Sequence, residues 1–549
     1  SEAGRDYSTV DMSRLAMYND YLPPYKAAVD AGAGSIMTSF NVVDGIPATG
    51  NRWLMTELLR NQWGFDGFVV TDYTAINEMI QHGMGDLQQV SALALKAGVD
   101  MDMVGEGFLT TLKKSLTEGK ISIQDIDLAC RRVLEAKYIL GLFSDPYRYM
   151  DEKRAQAEVL TTENLKAARE VAQRSMVLLK NDRQLLPLKK TGTVAVIGPL
   201  ADSKADMLGT WAMGGDASSI STVLEGMKRA GGNTVKILHA TGSPVSDLES
   251  LTHSPNPLAM ENRDASGKTK KSKNEMLAEA LQVAAKADVV VAVLGEPAAW
   301  SGEAASMTEI GLQKPQQDLL KALLATGKPV VLVLINGRPM TLPWENQHVP
   351  AILEAWAGGT EAGNAIADVL FGICNPAGRL TTTFPVNVGQ IPLYYNHKNT
   401  GRPLDPNSKF TSKYLDSPND PVYPFGFGLS YTTFQYGDVK VSKTMLKGNE
   451  KLTVTVTVTN SGNYAGEEVV QLYIQDLVAS VSRPVKELKN FRKIMLQPGE
   501  TKEVSMEVTT DDLSFYNSNL EYCWEPGDFK VFVGANSRDA KGVAFNWVK

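Results

Sequence analysis

The sequence predicts an α/β multidomain chain in three successive parts. These are a partial (β/α)8 barrel, an α/β sandwich with a mostly parallel sheet, and an antiparallel β-sandwich. Three observations predict it. Residues 1–150 alternate short strand-like runs with helical patterns. Residues 185–395 hold continuous Val-rich runs separated by helical segments, as parallel strands covered on both faces require. From residue 436 the apolar residues alternate strictly, which marks half-buried antiparallel strands.

In the first part the strand candidates are residues 35–39, 68–71 and 99–103, with helices between them such as 53–62 and 87–96. Three strands are fewer than the eight of a closed barrel, so residues 1–150 read as the C-terminal part of a TIM-type barrel. A long amphipathic stretch, 123–142, ends at Gly141-Leu142-Phe143-Ser144-Asp145-Pro146, where Asp and Pro stop a helix. Thr161-Thr162-Glu163 opens the next helix, with Leu165, Ala168, Ala172, Met176 and Leu179 at helical spacing. It is read as a linker helix within residues 151–184.

The second part, residues 185–395, has strand candidates at 194–198, 289–294, 330–334 and 351–356. Residues 243–274 are polar and aperiodic, so an irregular insertion is expected there. Residues 396–435 read as a connector. The third part, 436–549, carries alternating runs at 451–458, 469–474, 504–508 and 529–533. Turns such as Asn460-Ser461-Gly462 and Pro498-Gly499-Glu500 separate them, as in an antiparallel sandwich.

Composition narrows the function. The net charge is −7, which argues against nucleic acid or an anionic membrane as the main partner. The longest apolar runs are far too short to span a bilayer. The three Cys, at 130, 374 and 523, lie far apart and suggest no disulfide framework. The five His form no HExxH or His/Cys cluster, so no metal and no cofactor is implied. Gly426-Phe427-Gly428-Leu429-Ser430 lacks the Lys-Ser/Thr of a phosphate loop and reads as a tight connector. No GxGxxG follows a strand, which disfavours a nucleotide-binding protein.

Two places can carry chemistry. The apolar run 68–70 is followed by Thr71 and the carboxylate Asp72. At the end of a parallel barrel strand an acid reads as catalytic; the alternative is an Asp that starts a turn or caps a helix. The run 289–294 leads into a loop with three acids, Glu296, Glu303 and Glu309, each of which can equally be a solvated loop charge. Asp100 and Asp102 end the third strand candidate and can line the same cleft.

Gly67-Phe68-Val69-Val70-Thr71-Asp72 resembles the nucleophile signature of the family 3 glycoside hydrolases. The likeness continues in order through Gly98-Val99-Asp100-Met101-Asp102-Met103, Val177-Leu178-Leu179-Lys180-Asn181 and Ile335-Asn336-Gly337-Arg338-Pro339. It extends to Asn375-Pro376-Ala377-Gly378-Arg379-Leu380, Tyr423-Pro424-Phe425-Gly426-Phe427-Gly428-Leu429-Ser430-Tyr431 and Ser480-Val481-Ser482-Arg483-Pro484. It covers essentially the whole chain and is nearest to the bacterial periplasmic β-glucosidases of that family.

The resemblance implies a fibronectin type III-like fold for the sandwich and a retaining, exo-acting β-glycosidase, most simply a β-glucosidase. Such chemistry uses two carboxyl groups, typically about 5–5.5 Å apart. The resemblance makes Asp72 the nucleophile and selects Glu303 as acid/base, because the family's acid precedes a short Ala/Ser run; Glu296 stands in reserve. Met37, Phe40 and Tyr73 match residues that border the sugar, though core packing is an equal reading for each. Phe40 stands where many members carry Tyr, and Met307 where close relatives often carry Arg, which puts two site contacts in doubt. The expected partner is a β-glucoside or oligosaccharide, and the expected location is periplasmic or secreted. A β-xylosidase, or a non-catalytic carbohydrate-binding or assembly fragment, is the alternative. Residues 1–8 resemble a loop late in the family's barrel. The expectation is therefore that earlier strands precede them, or that a homodimer or companion chain completes the barrel and covers the edge of strand 35–39.

Overall fold

The computed structural model of the chain describes residues 2–212, 215–248 and 271–549. Contacts divide it into two units, Ser1–Val159 with Phe515–Cys523, and Leu160–Ser514 with Trp524–Lys549.

In the first unit the strands Ser35–Met37 and Phe68–Val70 pair in parallel, with Met37 opposite Val70. A π-type helix, Trp53–Gln62, lies between them in sequence. Gly67, just before the second strand, has no substitute: a Cβ there would fall 2.3 Å from the Gly34 carbonyl oxygen. The third expected strand, 99–103, is reduced to one parallel bridge between Val70 and Met101. The reason is local. The Asp100 carboxylate accepts the Val69 N–H (2.8 Å), while the Asp100 and Met101 N–H groups both donate to the Val69 carbonyl (2.8 and 3.1 Å). A side chain has taken a ladder bond, so the regular ladder stops.

The helices follow their sequence signals. Leu87–Ala97 starts at a capping box formed by Asp86 and Gln89, and Ile123–Ile139 at one formed by Ser122 and Asp125. The helical pattern expected to reach residue 142 ends three residues earlier. The core gathers Met55, Leu59, Phe65, Val69, Ile76, Met79, Val90, Ala94 and Val99.

A distant piece of chain joins this unit. In Phe515–Cys523, the Tyr516 N–H donates to Asn19 Oδ1 (2.9 Å) and Asn19 Nδ2 donates to the Tyr516 carbonyl (3.1 Å). The Tyr516 ring lies 4.8 Å from that of Tyr18.

The second unit is built on a sheet with the order Val177–Asn181, Ala351–Glu354, Val330–Ile335, Val289–Gly295, Gly192–Ile197, Val235–Ala240. Its first pair is antiparallel and the others are parallel. The central strands Val289–Gly295 and Val330–Ile335 are almost wholly buried, with apolar clusters on both faces.

Two of these strands depart from expectation. Val235–Ala240 carries Lys236 and His239 within its apolar run, which hides the strand pattern. Helix Thr162–Ser175 ends before the helical spacing does, and residues 177–181, read as linker helix, form an edge strand. Met176 to Leu179 are all buried there, and the edge of Ala351–Glu354 supplies backbone partners. Of the expected irregular insertion, residues 249–270 lie outside the described residues; residues 273 and 274 already belong to helix Lys273–Ala285, capped by Ser272.

The sandwich has one sheet of Phe434–Tyr436, Leu452–Asn460, Lys440–Val441 and Thr501–Val508, and a second of five strands from Met445–Lys447 to Glu487–Leu496. Leu452, Val454, Val456 and Val458 point inward against Leu472, Phe529, Val531 and Trp547, as the period of two dictates. A buried ion pair, Arg379 to Glu468 (2.8 Å), with the Tyr436 hydroxyl donating to Glu468 (3.0 Å), ties the sandwich to the segment before it.

Candidate active site

Thr71 and Asp72 leave the carboxyl end of strand Phe68–Val70. Thr71 is fully buried; its N–H donates to the Met101 carbonyl (3.0 Å) and its hydroxyl accepts the Met103 N–H (2.8 Å). That grip sets where Asp72 emerges. The Asp72 carboxylate is half-buried and accepts the Tyr73 N–H (2.6 Å), and its carbonyl accepts the Ala75 N–H at the start of helix Ala75–Gln81. Asp72 is thus a turn-forming Asp, and it sits at a strand's carboxyl end.

Met37 and Tyr73 reach the same end of the sheet, 54% and 59% exposed. Phe40 is half-buried with its ring edge-on to Tyr7 at 5.7 Å. Asp100 does not line a cleft. Its buried carboxylate holds Arg60 (2.6 Å) and Arg132 (2.9 Å). Asp102 accepts the Phe108 N–H (3.1 Å) in the first turn of helix Gly107–Thr117.

Glu303 lies in the second unit, in the loop that leaves strand Val289–Gly295. Chain order reverses between this strand and its neighbour Gly192–Ile197. Open parallel sheets offer their ligand crevice outside the carboxyl ends of strands at such a switch point. The loop is anchored along its length. The Ala298 N–H donates to Asp206 Oδ1 (2.9 Å), and the Thr210 hydroxyl is shared between the Ala298 and Ser301 carbonyls. Gly302 takes φ +90°, and a Cβ there would meet Thr210 Cγ2 at 2.6 Å. Glu303 is half-buried and Glu309 exposed.

Glu296, the reserve acid, is 4% exposed and bound by Arg338 Nε (2.9 Å). Burial pushes its carboxyl up and Arg338 pulls it back.

Sequence reasoning missed one acid in this region. Glu354 ends strand Ala351–Glu354 and is wholly buried; it accepts Asn336 Nδ2 (3.0 Å) and the Trp356 N–H (3.1 Å). The available signal was the one used for Asp72, an acid closing an apolar run. Burial, with a smaller push from Glu296, raises its carboxyl from 4.5 to about 8. The folded state thus holds a proton that the unfolded chain has lost between those values. Stability is unaffected below about 4.5, falls as pH rises toward 8, and stays low above it. Glu354→Gln is expected to remove a drop on the order of a few kcal/mol between pH 5 and 9. Urea midpoints of both proteins across that range check it; parallel curves contradict it.

Among the described residues no helix is long and apolar enough to cross a membrane, and no group of three His, Cys, Asp or Glu can hold a metal ion.

Residues 1–136 match the glycosyl hydrolase family 3 N terminal domain, 176–431 the family 3 C-terminal domain, and 468–537 a fibronectin type III-like domain. The periplasmic β-glucosidase of Salmonella typhimurium is 48% identical over 99% of this chain and 71% of its own length. A β-xylosidase of Formosa agariphila is 40% identical over 97% of this chain and 72% of its own. The crystal structure of the Listeria innocua β-glucosidase in complex with isofagomine superposes with a TM-score of 0.91 at 41% identity, covering 100% of this chain and 73% of that one. Both family domains, in order, and likeness at this level across the whole chain make it a member of glycosyl hydrolase family 3.

Proposed function

We propose that the chain acts as a retaining, exo-acting β-glucosidase that releases terminal β-D-glucose by double displacement. The similarity to a β-glucosidase along 99% of the chain carries this reading. In it, the Asp72 carboxylate attacks the anomeric carbon while Glu303 gives its proton to the departing oxygen, leaving a glycosyl ester on Asp72. Glu303, now ionised, takes a proton from water as that water displaces Asp72. Met37, Phe40 and Tyr73 border the sugar. The chemistry runs on the two carboxyl groups, and no cofactor enters it.

A 2-deoxy-2-fluoro-β-glucoside with a good leaving group tests the first step. The peptide containing Asp72 should gain the mass of the fluoro-sugar. Label elsewhere, with Asp72→Ala still turning over, overturns the assignment.

Glu303→Ala should lose on the order of 10²–10⁴ in kcat/KM on glucosides whose aglycone needs protonation. The loss should be much smaller on dinitrophenyl glucoside, and azide should restore turnover as β-glucosyl azide. Should Glu296→Ala behave this way instead, the acid/base is Glu296.

Xylose is the second reading, favoured by the 40% identical β-xylosidase. The ratio of kcat/KM for p-nitrophenyl glucoside and xyloside decides between the two. A periplasmic or secreted location belongs to the same proposal, supported by the periplasmic relative, and cell fractionation tests it.

A further inference from the structure

The loop that carries Glu303 has an unusual backbone. Its two neighbours both lie in the left-handed region, Gly302 at φ +90° and Ala304 at φ +56°. Glycine takes that conformation freely; alanine does so only where its surroundings enforce it. One contact falls on the next residue. Arg338, just after strand Val330–Ile335, donates from Nη2 to the Ala305 carbonyl (2.9 Å) and from Nε to Glu296 Oε2 (2.9 Å). One guanidinium thus spans the loop: Glu296 is its first residue after the strand, and Ala305 lies two residues past Glu303.

The partners are themselves held in place by hydrogen bonds. Glu296 is buried at the strand end, and its N–H donates to the Ile335 carbonyl (2.8 Å). Gln316 exchanges hydrogen bonds with the backbone of Gly295 (2.8 and 2.9 Å). On the other side Asp206 and Thr210 hold residues 298 and 301. The backbone on either side of Glu303 is therefore held, before it through residues 298 and 301 and after it by Arg338 at Ala305. A planar fork with donors in fixed directions can span two acceptors; a lysine ammonium on its flexible stem holds one at this geometry.

We propose that Arg338, seated on Glu296, is a positioning residue that sets the placement of Glu303 for proton transfer to the leaving group. This rests on the reading of Glu303 as acid/base, and it gives the buried Glu296 a role other than proton donor. A general acid displaced by about 1 Å loses on the order of 10²-fold in rate. The loss must appear only where protonation matters.

The test uses the full chain with Arg338→Lys, which keeps the charge beside Glu296, and with Arg338→Met/Glu296→Gln, which removes both buried charges together. First, kcat/KM is measured on aryl β-glucosides of rising leaving-group pKa. The expected loss grows from less than about 3-fold on dinitrophenyl glucoside to about 10–100-fold on phenyl glucoside. A uniform loss across the series, as a smaller folded fraction would give, overturns the inference. Second, hydrogen exchange is followed by mass spectrometry. Amides of residues 297–309 should exchange faster while those of Val289–Gly295 and Val330–Ile335 keep their protection; an unchanged loop also overturns it. Should the double variant not fold, Arg338→Lys decides alone. Glu303→Ala separates the two claims. If it shows no leaving-group dependence, the reading of Glu303 fails on its own. If it shows that dependence and the Arg338 variants do not, the positioning role fails and Glu303 stands.

Discussion

Asp72→Ala is expected to lower kcat/KM for aryl β-glucosides by on the order of 10⁴ or more, because it removes the group that forms the covalent intermediate. Its structural cost should be small. The hydrogen bond lost is the short turn contact to the Tyr73 N–H, on a half-buried side chain, and such bonds contribute about 1 kcal/mol. Thr71, which fixes the strand end, keeps its two contacts to residues 101 and 103. Circular dichroism and the urea midpoint should therefore stay close to wild type while turnover disappears. Azide adds a stereochemical check. With the nucleophile gone, azide attacks from the opposite face in one displacement and should give α-glucosyl azide, whereas rescue of Glu303→Ala should give the β product. Retained activity, or β-azide from Asp72→Ala, would exclude Asp72 as nucleophile.

Asp100→Ala is expected to cost about 3–5 kcal/mol of stability, the scale for removing one partner of a buried ion pair. The Asp100 side chain is 1% exposed and that of Arg60 is 8%. Its carboxylate accepts from Arg60 (2.6 Å), Arg132 (2.9 Å) and the Val69 N–H (2.8 Å). Alanine leaves two cations and a backbone donor without that acceptor. Burial already pushes the Arg60 guanidinium down, and Asp100 is what offsets it. Asp100→Asn should lose less, since its amide oxygen can still accept one of these donors. Val69 lies three residues before Asp72, on the strand Phe68–Val70 that leads to it, so Asp100→Ala should also depress turnover in the fraction that remains folded. Urea unfolding followed by tryptophan fluorescence measures the first effect, and active-site titration with the fluoro-sugar separates the second. A midpoint equal to wild type would refute the structural role of this triad.

Residue order by itself determined what depends on local burial. The Val-rich runs around 289–295 and 330–335 carry no polar residue that could face water, so they had to be central strands. The alternation in Leu452–Asn460 presets one inward face. Asp86, Ser122 and Thr161 each fix a helix start within a turn, because capping satisfies backbone donors close in sequence. The acid closing the 68–70 run was legible for the same reason, and the family likeness gave Asp72 and Glu303 their proposed roles. Only the tertiary structure decided what depends on partners far along the chain. Residues 177–181 became a strand because an edge at 351–354 was there to pair with. Asp100 is a buried ion-pair centre because Arg60 and Arg132, 40 and 32 residues away, converge on it. Asn19 meets Tyr516 across 497 residues. Arg338 reaches the Glu303 loop from 33 residues beyond Ala305. Periodicity records which side of an element is buried; it holds no information on which distant group will be there to receive a proton, a charge or a backbone bond, and that is settled only when the chain folds.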